Sequence, residues 1–252
     1  YESLALNTTG ANNVALGKAA LYANTTASNN TAVGYASLTA NTTGTNNVAL
    51  GANALDANTT ANANSAVGKN ALGANTTGPE NTAVGEQAMA TNTTGGTNVA
   101  VGREALKANT TASNNTAVGY RSLLANTTGT FNTAVGKSAL AANTTGEGNT
   151  TFGSNAGDAI TTGNYNICVG YLAGTHDTNL TTGVGNVIIG DYADVSAADS
   201  DYANVFGTNV TGAGGYTTVG HDGDDIRAAH GNVTWATVSD ERYKKDIVDS
   251  TA

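Results

Sequence analysis

Apolar and polar positions along the chain recur every 17 residues, and this period dominates every other feature of the sequence. The clearest copy spans residues 30–34, which read Asn-Thr-Ala-Val-Gly. The glycines that close successive copies are Gly17, Gly34, Gly51, Gly68, Gly85, Gly102, Gly119, Gly136, Gly153 and Gly170. A fixed step over so many copies is typical of a solenoid, in which each unit packs mainly on its neighbours.

Each copy carries a short stretch that alternates in character before its closing glycine. The stretch begins with asparagine, at Asn13, Asn30, Asn47, Asn64, Asn81, Asn98, Asn115, Asn132, Asn149 and Asn166. The residue just before the glycine is bulky and apolar, such as Val33 or Leu50, and the one before it is alanine in eight consecutive copies. An alternation with period two predicts a β-strand.

The alternation also predicts which side of each strand is buried. Bulky residues such as Val33 and Leu50 should fill the interior of each coil, which leaves the alanines on the opposite face. A position that stays small in every copy indicates close approach of another backbone, so we expect this face to pack against other copies of the chain. Its members are Ala32, Ala49, Ala66, Ala83, Ala100, Ala117 and Ala134. The alternative is a tightly wound coil in which the alanines touch their own turn.

The half of each copy that follows the glycine is more variable. Its first position, as in Lys18 or Arg103, is typical of an exposed site, whereas its fourth position is leucine or methionine and should be buried. A run such as residues 103–108 is too short to distinguish a helical turn from a second strand. An Asn-Thr-Thr corner then closes the coil, because asparagine tolerates left-handed backbone and bonds its own turn.

Taken together, the pattern predicts an all-β fold, a parallel β-solenoid or β-roll of 17-residue repeats that packs against other copies of the chain. We divide the chain into a regular solenoid at residues 1–156, degenerate repeats and a cap at 157–220, a connector at 221–238 and a separate segment at 239–252. In the degenerate repeats the alanine position holds Cys168, Ile188 and Val205. These larger residues favour a terminal region that seals the stack.

Composition narrows the function classes. The formal net charge is −9, which disfavours nucleic acid as a partner, because nucleic-acid binding needs clustered lysine and arginine. The single cysteine excludes an intrachain disulfide framework, and no apolar run approaches the roughly 18 residues of a membrane helix. Residues 221–225 superficially resemble a calcium loop but lack its spaced ligands. We therefore predict no metal site and no cofactor.

The repeated strand unit resembles the head repeats of trimeric bacterial autotransporter adhesins, over roughly residues 11–207. That resemblance implies a left-handed parallel β-roll in which three chains stand side by side.

A second resemblance concerns Ser239-Asp240-Glu241-Arg242-Tyr243-Lys244-Lys245-Asp246-Ile247. This stretch is similar to the opening of the endosialidase-type intramolecular chaperone, which lies at the C-terminus of many phage tail fibres and tailspikes. The resemblance implies that residues 239–252 begin a domain that drives trimerisation and then usually cuts itself off. In the family the cut falls just before the serine, here Ser239, and a lysine five residues on assists, here Lys244. A neutral lysine can take the proton of the serine hydroxyl and so activate it.

These observations predict a structural component of a phage tail fibre, a rigid trimeric rod that takes part in host attachment and is not an enzyme. Its location would be the virion, outside the host cell. Its partners would be other copies of the chain, other tail proteins, and a host surface polysaccharide or outer-membrane receptor. Candidate contacts are exposed Tyr35, Tyr120 and Tyr171 with their neighbours, or alternatively the acidic end of the chain. The alternatives are a tailspike depolymerase of host polysaccharide, a bacterial trimeric surface adhesin and an ice-binding solenoid.

Overall fold

The computed structural model describes residues 2–222, 224–231 and 236–237. Across these residues the chain is all-β, without a helix, and forms a parallel β-solenoid of about 12 turns built from 17-residue repeats. The predicted solenoid is therefore confirmed for the single chain. The described residues contain no helix with the length and hydropathy of a membrane span.

Most turns of the solenoid contribute one strand of three residues. The strands are β1 Val14–Leu16, β2 Thr31–Val33, β3 Val48–Leu50, β4 Ser65–Val67, β5 Thr82–Val84, β6 Val99–Val101, β7 Thr116–Val118, β8 Thr133–Val135, β9 Thr150–Phe152, β10 Ile167–Val169, β11 Val187–Ile189, β12 Asp194–Val195, β13 Asn204–Thr208, β14 Thr211–Gly212, β15 Tyr216–His221, β16 Asp224–Ala229 and β17 Ala236–Thr237. The large sheet has the order β1 to β11, β13, β15, β16, β17, while β12 and β14 form a separate pair.

A fixed register stacks each strand on its equivalent in the next turn. Ala32 pairs with Ala15 on one side and with Ala49 on the other, both in parallel strands. Between β10 and β11 the step lengthens to 20 residues, yet Ile167 pairs with Val187 in the same register. Insertions are therefore absorbed in the turns, and the strands keep their alignment.

A column of large apolar side chains occupies the fourth position after each closing glycine. Its members are all fully buried: Leu21, Leu38, Leu55, Leu72, Met89, Leu106, Leu123 and Leu140. Their backbone is left-handed, with φ of 49° at Leu38 and 51° at Leu55. Left-handed backbone costs an L-residue about 1–2 kcal/mol, and burying a leucine offsets this with about 1.5–3 kcal/mol. The segment after the glycine is thus a turn with left-handed residues, neither a helical turn nor a second strand.

The closing glycines lie where successive turns approach most closely. Gly34 has a φ of 135°, and a Cβ placed on it would lie 2.5 Å from the carbonyl oxygen of Gly51 in the next turn. Neither the conformation nor the space admits a side chain. This contact explains why the last residue of the unit is glycine in every regular copy.

Two columns of buried asparagines run along the stack. In the corner column the side-chain amide of Asn41 donates to Oδ1 of Asn24 at 3.0 Å. In the column before the strands the backbone amide of Asn47 donates to Oδ1 of Asn30 at 2.9 Å. The predicted structural asparagines Asn30, Asn47, Asn64, Asn81 and Asn98 all belong to this second column and are buried. Within the regular repeats each turn thereby satisfies buried polar groups of its neighbour. The corner column ends at Asn143, whose Oδ1 has no partner among the described residues because Ile160 takes the place of the next asparagine.

In the degenerate repeats the interior keeps its volume with different residues. Gly157 and Gly174 stand where the leucine column would continue, while Cys168 and Ile188 occupy the alanine position and are buried. A Cβ on Gly174 would lie 3.1 Å from the Cys168 sulfur and 3.3 Å from Cδ1 of Ile188. The larger strand residues therefore fill space that leucine fills elsewhere, as close packing of a narrow interior requires.

Strand direction changes near the end of the described chain. β13 and β15 are longer than the earlier strands and pair in parallel over five residues, from Asn204 with Thr217 to Thr208 with His221. β15 then pairs with β16 in antiparallel fashion, and β16 with β17 likewise. The β15–β16 hairpin covers the edge of the parallel stack and crosses the predicted boundary at residue 220.

Candidate functional site

The alanines that were predicted to form a trimer face lie in the interior instead, so that assignment is wrong. Ala32, Ala49, Ala66, Ala83, Ala100, Ala117 and Ala134 have no exposed surface in the single chain. They face the leucine column across a narrow coil, where only a small residue fits. The alternative of a tightly wound coil, with alanine against its own turn, is the correct one.

The reversal places branched residues on the outside of the sheet. We call this surface the outer sheet face and define it by the first and third residues of strands β1 to β11. Its central members are Thr31, Val33, Val48, Leu50, Ser65, Val67, Thr82, Val84, Val99, Val101, Thr116 and Val118. Leu50, Val67 and Val84 are each exposed by 36–37% in the single chain. The face has no titratable group, so its chemistry is limited to packing against another surface.

The outer sheet face is large for a surface left to water. Eleven strands at about 4.8 Å spacing make it about 50 Å long, and a three-residue strand makes it about 10 Å wide. Its footprint of roughly 500 Å² includes threonine or serine at the first position of six strands, while the third position is apolar in all eleven. A continuous apolar line of a few hundred Å² is typical of an interaction site. Sequence reasoning missed this face because it assigned these residues to the interior.

The tyrosines proposed as exposed contacts differ in their surroundings. Tyr35 is exposed, and no aromatic or cationic partner of its ring is found among the described residues. Tyr171 packs edge-on against Tyr192 with ring centroids 5.3 Å apart. Tyr120 lies between two guanidinium groups, 5.9 Å from that of Arg103 and 5.1 Å from that of Arg121. The structure therefore does not bring the three tyrosines together into one site.

A polar cluster beside Tyr120 centres on Glu104. Its carboxylate accepts a bond from Nε of Arg121 at 2.6 Å and one from Nζ of Lys107 at 3.2 Å. The bond from Arg121, followed by that from Lys107, holds the pKa of Glu104 below its usual range. The carboxylate is thus committed as an anion to its own neighbours, which suits a structural ion pair better than a general acid.

The remaining candidates for chemistry do not form a site among the described residues. Cys168 is buried, and burial, followed by the charge of Asp194, raises its pKa to about 12, so the thiolate needed for reactivity is suppressed. Nor do residues 2–222, 224–231 and 236–237 bring together three His, Cys, Asp or Glu side chains that could hold a metal ion. Ser239 and Lys244, the predicted self-cleavage pair, lie outside the described residues.

Comparison with known proteins adds no assignment. No protein-family model matches the chain, and neither a curated protein nor a solved structure gives a match.

Proposed function

We propose that the chain is a rigid structural segment of a viral tail fibre, a homotrimeric rod that takes part in attachment to a host cell. The observation that carries the proposal is the outer sheet face, whose third strand position is apolar in every turn of a solenoid whose interior is already filled by its own alanines and leucines. A rod that buries this face against copies of itself removes apolar surface from water along its whole length.

Two further features support the same function. The in-register stack ties each turn to the next by backbone and asparagine hydrogen bonds, which makes a stiff element of fixed length. The resemblance of residues 239–247 to the opening of a tail-fibre chaperone supplies the viral context. With the alanine face excluded, the branched residues of the outer sheet face become the proposed contact between chains.

Light scattering on the purified chain, expressed with any downstream coding region of its gene in place, tests the assembly. We expect a particle of three times the mass of the chain in the sample, to which these 252 residues contribute 25.0 kDa. The double substitution Val67→Asp and Val84→Asp puts two charges on the outer sheet face and should give a monomer with an unchanged circular dichroism spectrum, because both side chains point outwards. A wild-type monomer would contradict the trimer.

The matched control adds the same charge to the same part of the stack. Thr77 and Thr94 are exposed at the Asn-Thr-Thr corners of neighbouring turns, so Thr77→Asp with Thr94→Asp should leave the trimer intact. Dissociation of both variants to the same extent would mean that charge alone disrupts assembly, and the outer sheet face would lose its role.

A further inference from the structure

One corner of the solenoid carries an alternating series of aromatic residues and glycines. From the turn of β8 onwards the series is Phe131, Gly148, Tyr165, Gly185, Tyr202 and Gly215, which we call the aromatic column. All six share a left-handed backbone, with φ of 60°, 65°, 57°, 70°, 55° and 74°. The amides of Tyr165, Tyr202 and Gly215 each donate to the carbonyl just before the preceding member, at 2.9, 2.9 and 3.0 Å. The six residues therefore stack in consecutive turns.

Each tyrosine ring in the column lies over the glycine of the preceding turn. A Cβ on Gly148 would lie 2.6 Å from Cδ1 and 2.8 Å from Cε1 of Tyr165, and one on Gly185 would lie 2.8 and 2.9 Å from the same atoms of Tyr202. The glycines thus make the room in which the rings rest on the backbone. As whole residues, Tyr165 and Tyr202 are 64% and 61% exposed, and Phe131 is 65% exposed. The column therefore presents ring surface to solvent.

The spacing of the rings matches a repeating ligand. Successive aromatic residues are two turns apart, which is about 10 Å at a strand spacing of about 4.8 Å. In a β-1,4-linked polysaccharide each sugar is turned over relative to the last, so equivalent sugar faces recur at every second unit, a distance close to two turns. An aromatic ring offers an apolar face for a sugar, and tyrosine adds a hydroxyl at its edge.

The charges beside the column favour an uncharged ligand. There is no lysine or arginine between Lys137 and Arg227 in the sequence, whereas Glu147 and Asp201 lie next to the column and are exposed. One oxygen of Asp201 accepts a bond from the amide of Val184 at 2.7 Å, which fixes the carboxylate beside the backbone that precedes Gly185. Carboxylates accept hydrogen bonds from sugar hydroxyls and repel a polyanion.

We propose that the aromatic column binds a neutral β-1,4-linked polysaccharide, with Phe131, Tyr165 and Tyr202 each stacking on every second sugar. This proposal rests on the function proposed above, because the polysaccharide would be the cell-surface target that the attachment rod binds.

Titration calorimetry with cello-oligosaccharides and chito-oligosaccharides of three to six sugars tests the proposal. An α-1,6-linked dextran oligosaccharide of six sugars is the control ligand. Three sugars span two rings and five sugars span all three, so affinity should rise at least tenfold from three to five sugars and change little from five to six. The two oligosaccharide series decide whether the N-acetyl group contributes, and the dextran should not bind.

Two pairs of substitutions separate ring contact from ring placement. Tyr165→Ala with Tyr202→Ala removes two rings and should weaken binding of the hexasaccharide at least tenfold. Gly148→Ala with Gly185→Ala keeps both rings but displaces them, and should weaken binding to a similar extent. The column accepts alanine, because Ala63 occupies it with a φ of 58°. The matched control, Thr77→Ala with Thr94→Ala, removes two exposed side chains at the Asn-Thr-Thr corners and should leave binding unchanged.

The proposal would be overturned if the folded wild-type protein bound neither the cello-oligosaccharides nor the chito-oligosaccharides. It would also be overturned if Tyr165→Ala with Tyr202→Ala bound the hexasaccharide as tightly as the control variant. Light scattering on the same samples keeps the two proposals distinct. An intact trimer without binding contradicts the polysaccharide site alone, and binding by a monomer contradicts the trimeric rod alone. Dissociation of the trimer by Tyr165→Ala with Tyr202→Ala, without binding in the wild type, would assign the rings to the contact between chains.

Discussion

Single residues set the distance between turns of the solenoid. At Gly68 the φ is 131°, and a Cβ would lie 2.5 Å from the carbonyl oxygen of Gly85. The strand-to-strand hydrogen bonds hold the two turns together on one side, where the amide of Gly85 donates to the carbonyl of Val67 at 2.7 Å. A side chain at Gly68 would push these two bonded turns apart, so any substitution would weaken the hydrogen bonds between neighbouring strands.

Gly68→Ala is therefore expected to lower the free energy of unfolding by about 3 kcal/mol or more, through backbone strain and the clash combined. Urea denaturation followed by circular dichroism measures the change. Gly73→Ala is the matched control: its Cβ would lie 3.3 Å from Oδ1 of the Asp56 side chain and in ordinary contact, at 3.5 and 3.6 Å, with the carbonyl oxygens of Asn70 and Asn53. Alanine also stands at the equivalent position in residues 90 and 141, so the control should stay within about 0.5 kcal/mol of wild type. Equal losses in the two variants would contradict this account.

At the scale of the repeating element, the 17-residue period predicts where the strands lie, whereas the alternation of apolar and polar residues does not predict which face is buried. The stretch at residues 30–34 is found as strand β2, and the column that begins at Leu21 is buried as expected. The facing of the strand was predicted wrongly, because an alternation with period two marks two faces without saying which one is inside. The width of the coil decides which face is inside. That width depends on left-handed turns at residues such as Leu38, and a leucine in the sequence does not indicate left-handed backbone.

The aromatic column has a sequence signal that appears only in register. Phe131, Tyr165 and Tyr202 are separated by 34 and 37 residues, which looks irregular until the longer step between β10 and β11 is counted as a single turn. Their contact with Gly148 and Gly185 follows from the lean of each ring towards the preceding turn, which the sequence alone does not specify. A site of this kind is found by aligning turns and then comparing equivalent positions.

A whole repeat should be removable without loss of the fold. Deletion of residues 69–85 joins Gly68 to Glu86 and keeps the 17-residue step, so every turn retains an equivalent neighbour. We expect a folded solenoid, one turn shorter, that unfolds cooperatively at a slightly lower temperature. Deletion of residues 69–86 leaves a 16-residue step and moves Met89 out of the leucine column, so it should lower the melting temperature much further. Calorimetry compares the two, and similar melting curves would contradict the dependence on register.

For the whole molecule, the two proposed surfaces have different extents. The outer sheet face follows the sheet from β1 to β11, whereas the aromatic column begins at the turn of β8 and reaches that of β15. Assembly would therefore draw on almost the entire described length, and ligand binding only on its C-terminal half. Shortening the N-terminal repeats would reduce the contact between chains while leaving the three rings in place.

Cys168 provides a measure of how far the solenoid unfolds as one unit. In the folded chain burial, followed by the charge of Asp194, raises the thiol pKa to about 12, while an unfolded chain releases the proton at a pH of about 8.5. Between these values the folded state holds one more proton than the unfolded state. The free energy of unfolding is thus unaffected by this group below a pH of about 8.5 and falls by about 1.4 kcal/mol per pH unit above it.

Cys168→Ala isolates this contribution, because it removes the thiol, and the cost of the space that it leaves does not depend on pH. We expect the substitution to shift the urea midpoint by a fixed amount near pH 7, and the stability of wild type relative to the variant to fall by about 1.4 kcal/mol at pH 9.5. A thiol in β10 changes the stability of every turn only when all turns unfold together, so the shift should appear over the whole transition. If the pH-dependent change in stability appeared in only part of the unfolding transition, the turns would unfold in stages. If the stability difference between wild type and variant did not depend on pH, the thiol would ionise equally in the folded and unfolded states.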